Sequence, residues 1–374
     1  MWRETWARVD LKRLATNVSE LKSRLAPNVL MMATVKANAY GHGAVKVSRA
    51  ALCAGADQLG VATVDEGVEL RDHGIEAPVL MYGALPKNAV EAVILHDLMP
   101  TVGDLSEVAL IGQIATKMGK ACHIHVKLDT GMGRLGVRDV DAAKQLLKAA
   151  AQTPGVILEG AFTHFSSIDE PPGSDGDSYT ELQRMRFEKM IFAAKAEGIK
   201  IPTVHAANSA GMLRDASYHY DMVRPGIALY GYHPARDWME PADLLPVLSL
   251  HARVVRVADL PSGEGVSYGR TFVTKEPERI ATLPIGYADG IPRGLSNVGH
   301  VCIKGKPAPI VGRVCMDQMM IKVTGMDVSV GDVAEIYGGA RGSCSSLEAM
   351  AELQSTIPYE LLCRISDRVP RIYT

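Results

Sequence analysis

Lys36 closes a short apolar run, Val29 to Val35, and is followed by Ala37-Asn-Ala-Tyr40-Gly41-His-Gly43. A run of that length and character predicts a strand buried on both faces of a parallel sheet. An ammonium at the end of such a strand is costly to desolvate, so its pKa falls unless a partner offsets the charge. A neutral amine is a nucleophile able to condense with an aldehyde or ketone as a Schiff base. The plain alternative is a lysine whose stem lies along the strand end while its head stays in water.

Other reactive residue types recur at the ends of apolar runs. Lys127-Leu-Asp-Thr-Gly-Met-Gly-Arg134-Leu-Gly136 follows one run, His164 closes a second, His205-Ala-Ala-Asn208-Ser209 a third and Arg224 a fourth. Gly131-x-Gly133-x-x-Gly136 matches the dinucleotide fingerprint by letter, but that motif belongs in the first βαβ unit with an acid closing the next strand. Here it falls on the fifth run, and Glu159 lies inside a run instead of at its end. Ser209 precedes a helical pattern, where a hydroxyl and free N–H groups suit a phosphate or simply cap the helix. His123 and His125 flank Ile124 and share a strand face. With no third ligand in the sequence they are expected as interior packing, not as a metal site.

The elements that must position these groups follow from periodicity. Leu11, Leu14, Val18, Leu21 and Leu25 have helical spacing, with Asp10 as N-cap. Eight strand candidates follow: Val29–Val35, Leu59–Val61, Val79–Tyr82, Leu98–Val102, His123–Leu128, Val156–Thr163, Thr203–Ala206 and Met222–Arg224. Helical patterns near Ala44–Ala54, Asp65–Asp72, Pro86–Leu95, Asp104–Met118, Val140–Ala151 and Glu181–Ala196 separate most of them. That alternation predicts parallel βαβ units, and eight of them suit a closed (β/α)8 barrel of TIM type. A doubly wound open sheet is the rival, but it concentrates chemistry at one switch point. A barrel gathers all its C-terminal strand ends on one face. Five strand ends carry reactive groups here, namely Lys36, Asp129 to Arg134, His164, His205 to Ser209, and Arg224, which favours the barrel.

After about Pro241 the texture changes to short strand-like runs: Ser249–Val257, Gly265–Tyr268, Arg279–Ile285, Val301–Ile303, Pro309–Met316, Met319–Val323 and Asp332–Tyr337. Turns such as Pro261-Ser-Gly263 and Gly338-Gly339 punctuate them, and helix returns only at Ser346–Leu353. The expected architecture is α/β: a barrel over residues 1–240 and a mostly antiparallel β domain over residues 241–374. The acidic stretch Asp169–Ser178 is expected as a solvated loop.

Totals narrow the function classes. Net charge −2 leaves no electrostatic footprint for nucleic acid, and no apolar run approaches the roughly 18 residues a membrane span needs. The start, Met1-Trp-Arg-Glu-Thr, has no apolar core of a secretory signal. Six cysteines without a Cys-x-x-Cys pair suggest free thiols in a reducing compartment, so a cytoplasmic protein is expected.

Val35-Lys36-Ala-Asn-Ala-Tyr40-Gly-His-Gly43 resembles the cofactor-lysine signature of the alanine racemases, which depend on pyridoxal 5'-phosphate. Lys127 to Gly136, Arg224-Pro-Gly226-Ile227-Ala-Leu-Tyr-Gly231, Val266-Ser-Tyr268-Gly-Arg270, Ile285-Gly-Tyr-Ala-Asp-Gly290, Val314-Cys-Met316-Asp-Gln318 and Ile357-Pro-Tyr359-Glu360 are similar to further strings of that family, in family order. The resemblance implies a Schiff base at Lys36, with Tyr40, Asn208, Ser209, Gly226, Ile227 and Tyr359 also holding the cofactor. It assigns Arg134 to the cofactor's phenolic oxygen and to substrate, Arg224 to the pyridine nitrogen, and His164 to the network around the catalytic tyrosine. Lys127 would be an N-carboxylysine that orients Arg134, and the backbone N–H of Met316 would bind the substrate carboxylate. Lys36 and Tyr268 would be the two bases that interconvert L- and D-alanine, for peptidoglycan or alanine catabolism. The family's subunits pair head to tail, so Tyr268 and Met316 are expected to serve the partner's site in a homodimer. Alternatives are a serine or broader-specificity racemase, and a barrel-type decarboxylase, in which an acid meets the pyridine nitrogen in place of Arg224.

Overall fold

The computed structural model describes residues 3–235, 238–239, 242–338 and 342–374. Strand β1 (Thr5–Val9) leads into the helix Leu11–Ser23, which starts where Asp10 Oδ1 accepts the N–H groups of Lys12 and Arg13 at 3.1 and 3.0 Å. Eight parallel strands then close a barrel. They are β2 (Leu30–Thr34), β3 (Gln58–Val61), β4 (Val79–Met81), β5 (Met99–Val102), β6 (Cys122–Lys127), β7 (Val156–Phe162), β8 (Thr203–His205) and β9 (Met222–Val223). β9 pairs back on β2 through Leu30 and Met31, so no edge is left open. Each of the eight expected runs is a barrel strand. Burial on both faces makes such strands continuous apolar runs, the most readable strand signal a sequence carries.

The second region is built from β10 (Leu248–Arg253), β11 (Arg256–Leu260), β12 (Gly265–Val266), β13 (Phe272–Val273) and β14 (Glu278–Leu283). It continues with β15 (His300–Ile303), β16 (Lys306–Pro309), β17 (Met319–Lys322), β18 (Val333–Tyr337) and β19 (Arg371–Tyr373). The largest sheet runs β16-β15-β18-β10-β1-β19; β11-β14-β17 form a second and β12-β13 a ribbon. β1 therefore pairs antiparallel with β10 and parallel with β19, so this sheet draws strands from before and after the barrel. Pro241 and Gly339, expected at a boundary and a turn, lie outside the described residues.

Several expectations need correction. Ser249–Val257 is two strands, because Val254 N–H bonds to Asp332 O at 2.8 Å while Val255 N–H bonds to Thr282 O at 3.0 Å, in different sheets. Pro309–Met316 is not a strand beyond Pro309: Ile310 makes one isolated bridge to Ile321, and Gly312 turns the chain at φ 73° against Val266. Gly265–Tyr268 breaks at Ser267, which has φ 66°. The helix expected from Glu181 starts at Asp175 and runs to Ala196, so the acidic stretch is partly its first turn. Ser174 caps it by accepting the N–H of Asp177 at 3.1 Å, and Asp175 and Asp177 complement the positive end of the helix dipole. Asp177 is paired with Arg214, not solvated alone. Cys302 and Cys344 form a disulfide, with Cα atoms 5.3 Å apart, where free thiols were expected. Spacing carried no sign of it: Cys302 lies on β15 opposite Glu335 of β18, and Cys344 returns to the same place beside Ser345, whose Oγ donates to Glu335.

Candidate active site

The C-terminal strand ends form one mouth, and its most unusual backbone follows Lys36. Ala37, Asn38, Ala39 and Tyr40 all have φ of 52–53°, a left-handed turn built from four consecutive non-glycine residues. Each costs roughly 1–2 kcal/mol relative to the right-handed form. Contacts from several sides hold the turn. Ala37 N–H donates to Glu66 Oε1 and Ala44 N–H to Asn38 Oδ1, both at 2.7 Å. His42 Nδ1–H donates to Tyr40 O at 2.9 Å, and Arg371 Nε to Gly41 O at 3.0 Å. Lys36 itself is half-buried. Burial first, then the Arg134 guanidinium, hold its amine below the usual lysine range, and Glu66 opposes them.

Arg224, at the end of β9, is buried without a carboxylate partner among the described residues. Its guanidinium meets His205 Nδ1 at 2.7 Å, Thr163 O and Ala206 O at 2.9 Å each, and His164 Nδ1 at 3.3 Å. As both histidine nitrogens accept, the rings are neutral, and burial and the Arg224 charge push both well below the usual histidine range. His205 Nε2–H then donates to His125 Nδ1 at 3.0 Å, deep in the barrel. Burial lowers Arg224 to about 10. His125 is interior as expected. His123 is not: it pairs with Glu159 at 3.0 Å and stays 41% exposed in its side chain.

Lys127 ends β6, buried, with its amine 4.2 Å from the Phe162 ring centre. Desolvation and the Arg224 and Arg134 charges push it far below the usual lysine range, only partly opposed by Asp129. The glycine-rich loop after it is folded by Asp129, whose Oδ1 accepts Gly131 and Gly133 N–H at 3.1 and 2.9 Å. This loop presents Arg134, which is exposed at the mouth.

Past the ends of β8 and β9, the latter paired with β2, Ser209 Oγ accepts the N–H groups of Gly226 and Ala228 at 2.8 and 3.3 Å, and Asn208 caps the short helix Ser209–Arg214 by accepting Gly211 N–H at 3.0 Å. A Cβ on Gly226 would stand 2.6 Å from the Tyr40 hydroxyl. The Tyr40 ring lies between Tyr230 and Tyr359, at centroid distances of 4.8 and 6.0 Å. Tyr40, Ser209, Gly226, Ile227 and Tyr359 thus cluster on one side of the mouth.

Tyr268 and Met316 are elsewhere. These residues are 71% and 52% exposed, in the β region. Ser267 Oγ donates to Arg313 O at 2.7 Å and so joins the Tyr268 turn to the Met316 loop. The 285–290 string explains the loop's position: Tyr287 and Ala288 N–H donate to Cys315 O and Met316 O at 3.0 Å each. Asp289 braces that turn from below, accepting Gly286 N–H at 3.0 Å and pairing with Arg3 at 2.6 Å. The bracing roles of Glu66, Asp129 and Asp289 were not foreseen from the sequence. Thr63-x-x-Glu66 is a readable capping-box signal; the other two sit inside strings already noted, with nothing to mark their carboxylates as braces.

Residues 9–234 match the family described as alanine racemase, N-terminal domain, and residues 247–373 that described as alanine racemase, C-terminal domain. Among curated relatives, alanine racemase 2 of Caldanaerobacter subterraneus is 45% identical, covering 99% of this chain and 95% of its own length. Alanine racemase 1 of Oceanobacillus iheyensis is 42% identical, covering 100% and 98%. Solved structures agree. Alanine racemase of Clostridium difficile 630 superposes with a TM-score of 0.94 at 35% identity, covering 100% of this chain and 96% of its own. That of Bacillus anthracis with bound L-Ala-P gives 0.93 at 38%, with the same coverages.

Proposed function

The chain belongs to the alanine racemase family of isomerases, and on that footing we propose that it interconverts L- and D-alanine on pyridoxal 5'-phosphate. The observation that carries this reading is the convergence of Lys36, Arg224 and the Tyr40–Ser209–Gly226 cluster at one barrel mouth. The cluster fits a phosphate, since a Cβ on Gly226 would fill the space beside the Tyr40 hydroxyl. Ser209, Asn208, Ile227 and Tyr359 complete the cradle, and the backbone N–H groups of the helix start favour an anion. When bound, the conjugated ring of the cofactor withdraws electrons and acidifies the Cα–H of an amino acid joined to it.

The chain's own groups then do the following. Lys36, whose amine is held below the usual lysine range by burial and Arg134, would hold the cofactor through its aldehyde carbon and would take or give a proton at the substrate Cα from one face. Tyr268 serves the other face, because one base alone would return the proton to the side it came from. Arg224 cannot accept a proton, so it leaves the ring nitrogen unprotonated and tempers the electron demand, which limits transamination. His164, neutral and bonded to Arg224, extends that network toward the tyrosine. Arg134 and the backbone N–H of Met316 bind the substrate carboxylate. The suppressed charge of Lys127 favours the neutral amine, the form that adds carbon dioxide, and a carbamate there would orient Arg134. The exposure of Tyr268 and Met316 supports a homodimer in which the partner subunit's Tyr268 completes each site.

The test is direct. Purified protein should be yellow, borohydride should fix the colour to the peptide containing Lys36, and L-alanine should lose optical rotation faster than serine or other amino acids. A Lys36→Ala protein that kept covalently reducible cofactor, or a preference for another amino acid, would overturn the reading.

A further inference from the structure

Two consecutive-pattern capping boxes at this mouth differ in one bond. At the end of β5, Asp104 and Glu107 form one, and Glu107 Oε2 accepts the N–H groups of Gly103 and Asp104 at 2.6 and 3.2 Å, all within its own loop. At the end of β3, Thr63 and Glu66 form the other, with Glu66 Oε2 accepting Ala62 and Thr63 N–H at 2.6 and 3.3 Å. Glu66 Oε1 then does something capping does not require: it crosses to the neighbouring strand end and accepts Ala37 N–H at 2.7 Å. Ala37 is the residue after Lys36 and the first of the four left-handed residues.

We propose that Glu66 is a positioning residue for Lys36, tying the first peptide of the left-handed turn to the end of β3 and presenting a negative charge to the amine. The far end of the turn has its own anchors in Asn38, His42 and Arg371. At the near end, Ala39 N–H returns to Val35 O at 2.8 Å, inside the segment itself. Glu66 anchors that near end from outside the segment, from the helix that follows β3. Its carboxylate also counters Arg134, so the same group fixes where the amine points and limits how readily it loses its proton. The inference rests on reading Lys36 as the functional amine.

Cofactor-free protein can test it by competitive acetylation of Lys36 with acetic anhydride across pH, read by peptide mass. Glu66→Gln removes the charge and should lower the pH of half-reaction by about one unit, a tenfold loss of proton affinity. Glu107→Gln removes the equivalent cap and should leave Lys36 unmoved. Glu66→Asp keeps the charge but is one methylene short of Ala37, so amide exchange over residues 37–40 should accelerate at least about tenfold. An unshifted Lys36 titration in Glu66→Gln, an equal shift in Glu107→Gln, or unchanged exchange in Glu66→Asp would each overturn the proposal. Borohydride trapping on Lys36 is separate, and its failure would overturn the cofactor reading while leaving these results standing.

Discussion

Replacing Gly226 with alanine probes the proposed phosphate site where glycine packs against Tyr40. The new Cβ would lie 2.6 Å from the Tyr40 hydroxyl and 3.3 Å from its Cζ. An ordinary contact needs about 3.4 Å or more, so the hydroxyl must retreat by roughly 0.8 Å. Tyr40 has little room to do so, being 7% exposed, flanked by Tyr230 and Tyr359 and rooted in the left-handed turn. A retreat of that size would break the proposed hydrogen bond to a phosphate oxygen, worth about 1.5–3 kcal/mol when one partner is charged. At 1.4 kcal/mol per decade, affinity for pyridoxal 5'-phosphate should fall roughly 10- to 150-fold. Titration of cofactor-free protein, followed by absorbance, measures this. Tyr40→Phe should lose a similar amount, and adding Gly226→Ala to it should cost little more, since the colliding atom is gone. Unchanged affinity in Gly226→Ala, or losses that simply add in the double variant, would refute the reasoning.

Arg224→Glu should let the ring nitrogen hold a proton, slowing racemisation and raising pyruvate from transamination; unchanged partitioning would show that Arg224 does not set reaction specificity. His42 and His125, lowered by burial to about 4 and about 3 from 6.5, are neutral when folded and protonated when unfolded at mildly acid pH. The unfolded chain binds more protons there, so stability should fall as pH drops from about 6.5 toward 4, by up to about 1.4 kcal/mol per unit for each. A melting temperature flat between pH 7 and 5 would contradict this. The Cys302–Cys344 disulfide spans 42 residues, so Cys344→Ser should cost about 4 kcal/mol on the chain-entropy account. Non-reduced peptide mapping that found both thiols free would remove that contribution.

The barrel was legible because its strands are continuous apolar runs and because Lys36, Arg134, His164, Ser209 and Arg224 each sit just past one. The strands β1 and β19 were not, since Thr5–Val9 and Arg371–Tyr373 are short and owe their place to pairing with each other and β10. Nothing in Ala37 to Tyr40 announces left-handed backbone. Only Gly41 and Gly43 hint at it, and the conformation is held by Glu66 and Arg371 from outside the segment and by Asn38 reaching out of it to Ala44. Pro309–Met316 misled because Val311, Val314 and Met316 read as strand residues, although the loop's shape is set by the N–H groups of Tyr287 and Ala288. Contacts distant in sequence decide these features, and local patterning cannot hold them.

The central claim is that each site takes Lys36 from one chain and Tyr268 from another, and co-assembly of two defective chains tests it most directly. One chain carries Lys36→Ala and the other Tyr268→Phe, each nearly inactive alone. In a mixed two-fold dimer one site collects both defects and the other neither. Equal co-expression makes half the dimers mixed, so about a quarter of all sites should be intact, and racemisation of alanine should recover to roughly that fraction of the parent rate. Confirmed mixed dimers with no recovery would mean that each chain supplies its own tyrosine, and would contradict the account.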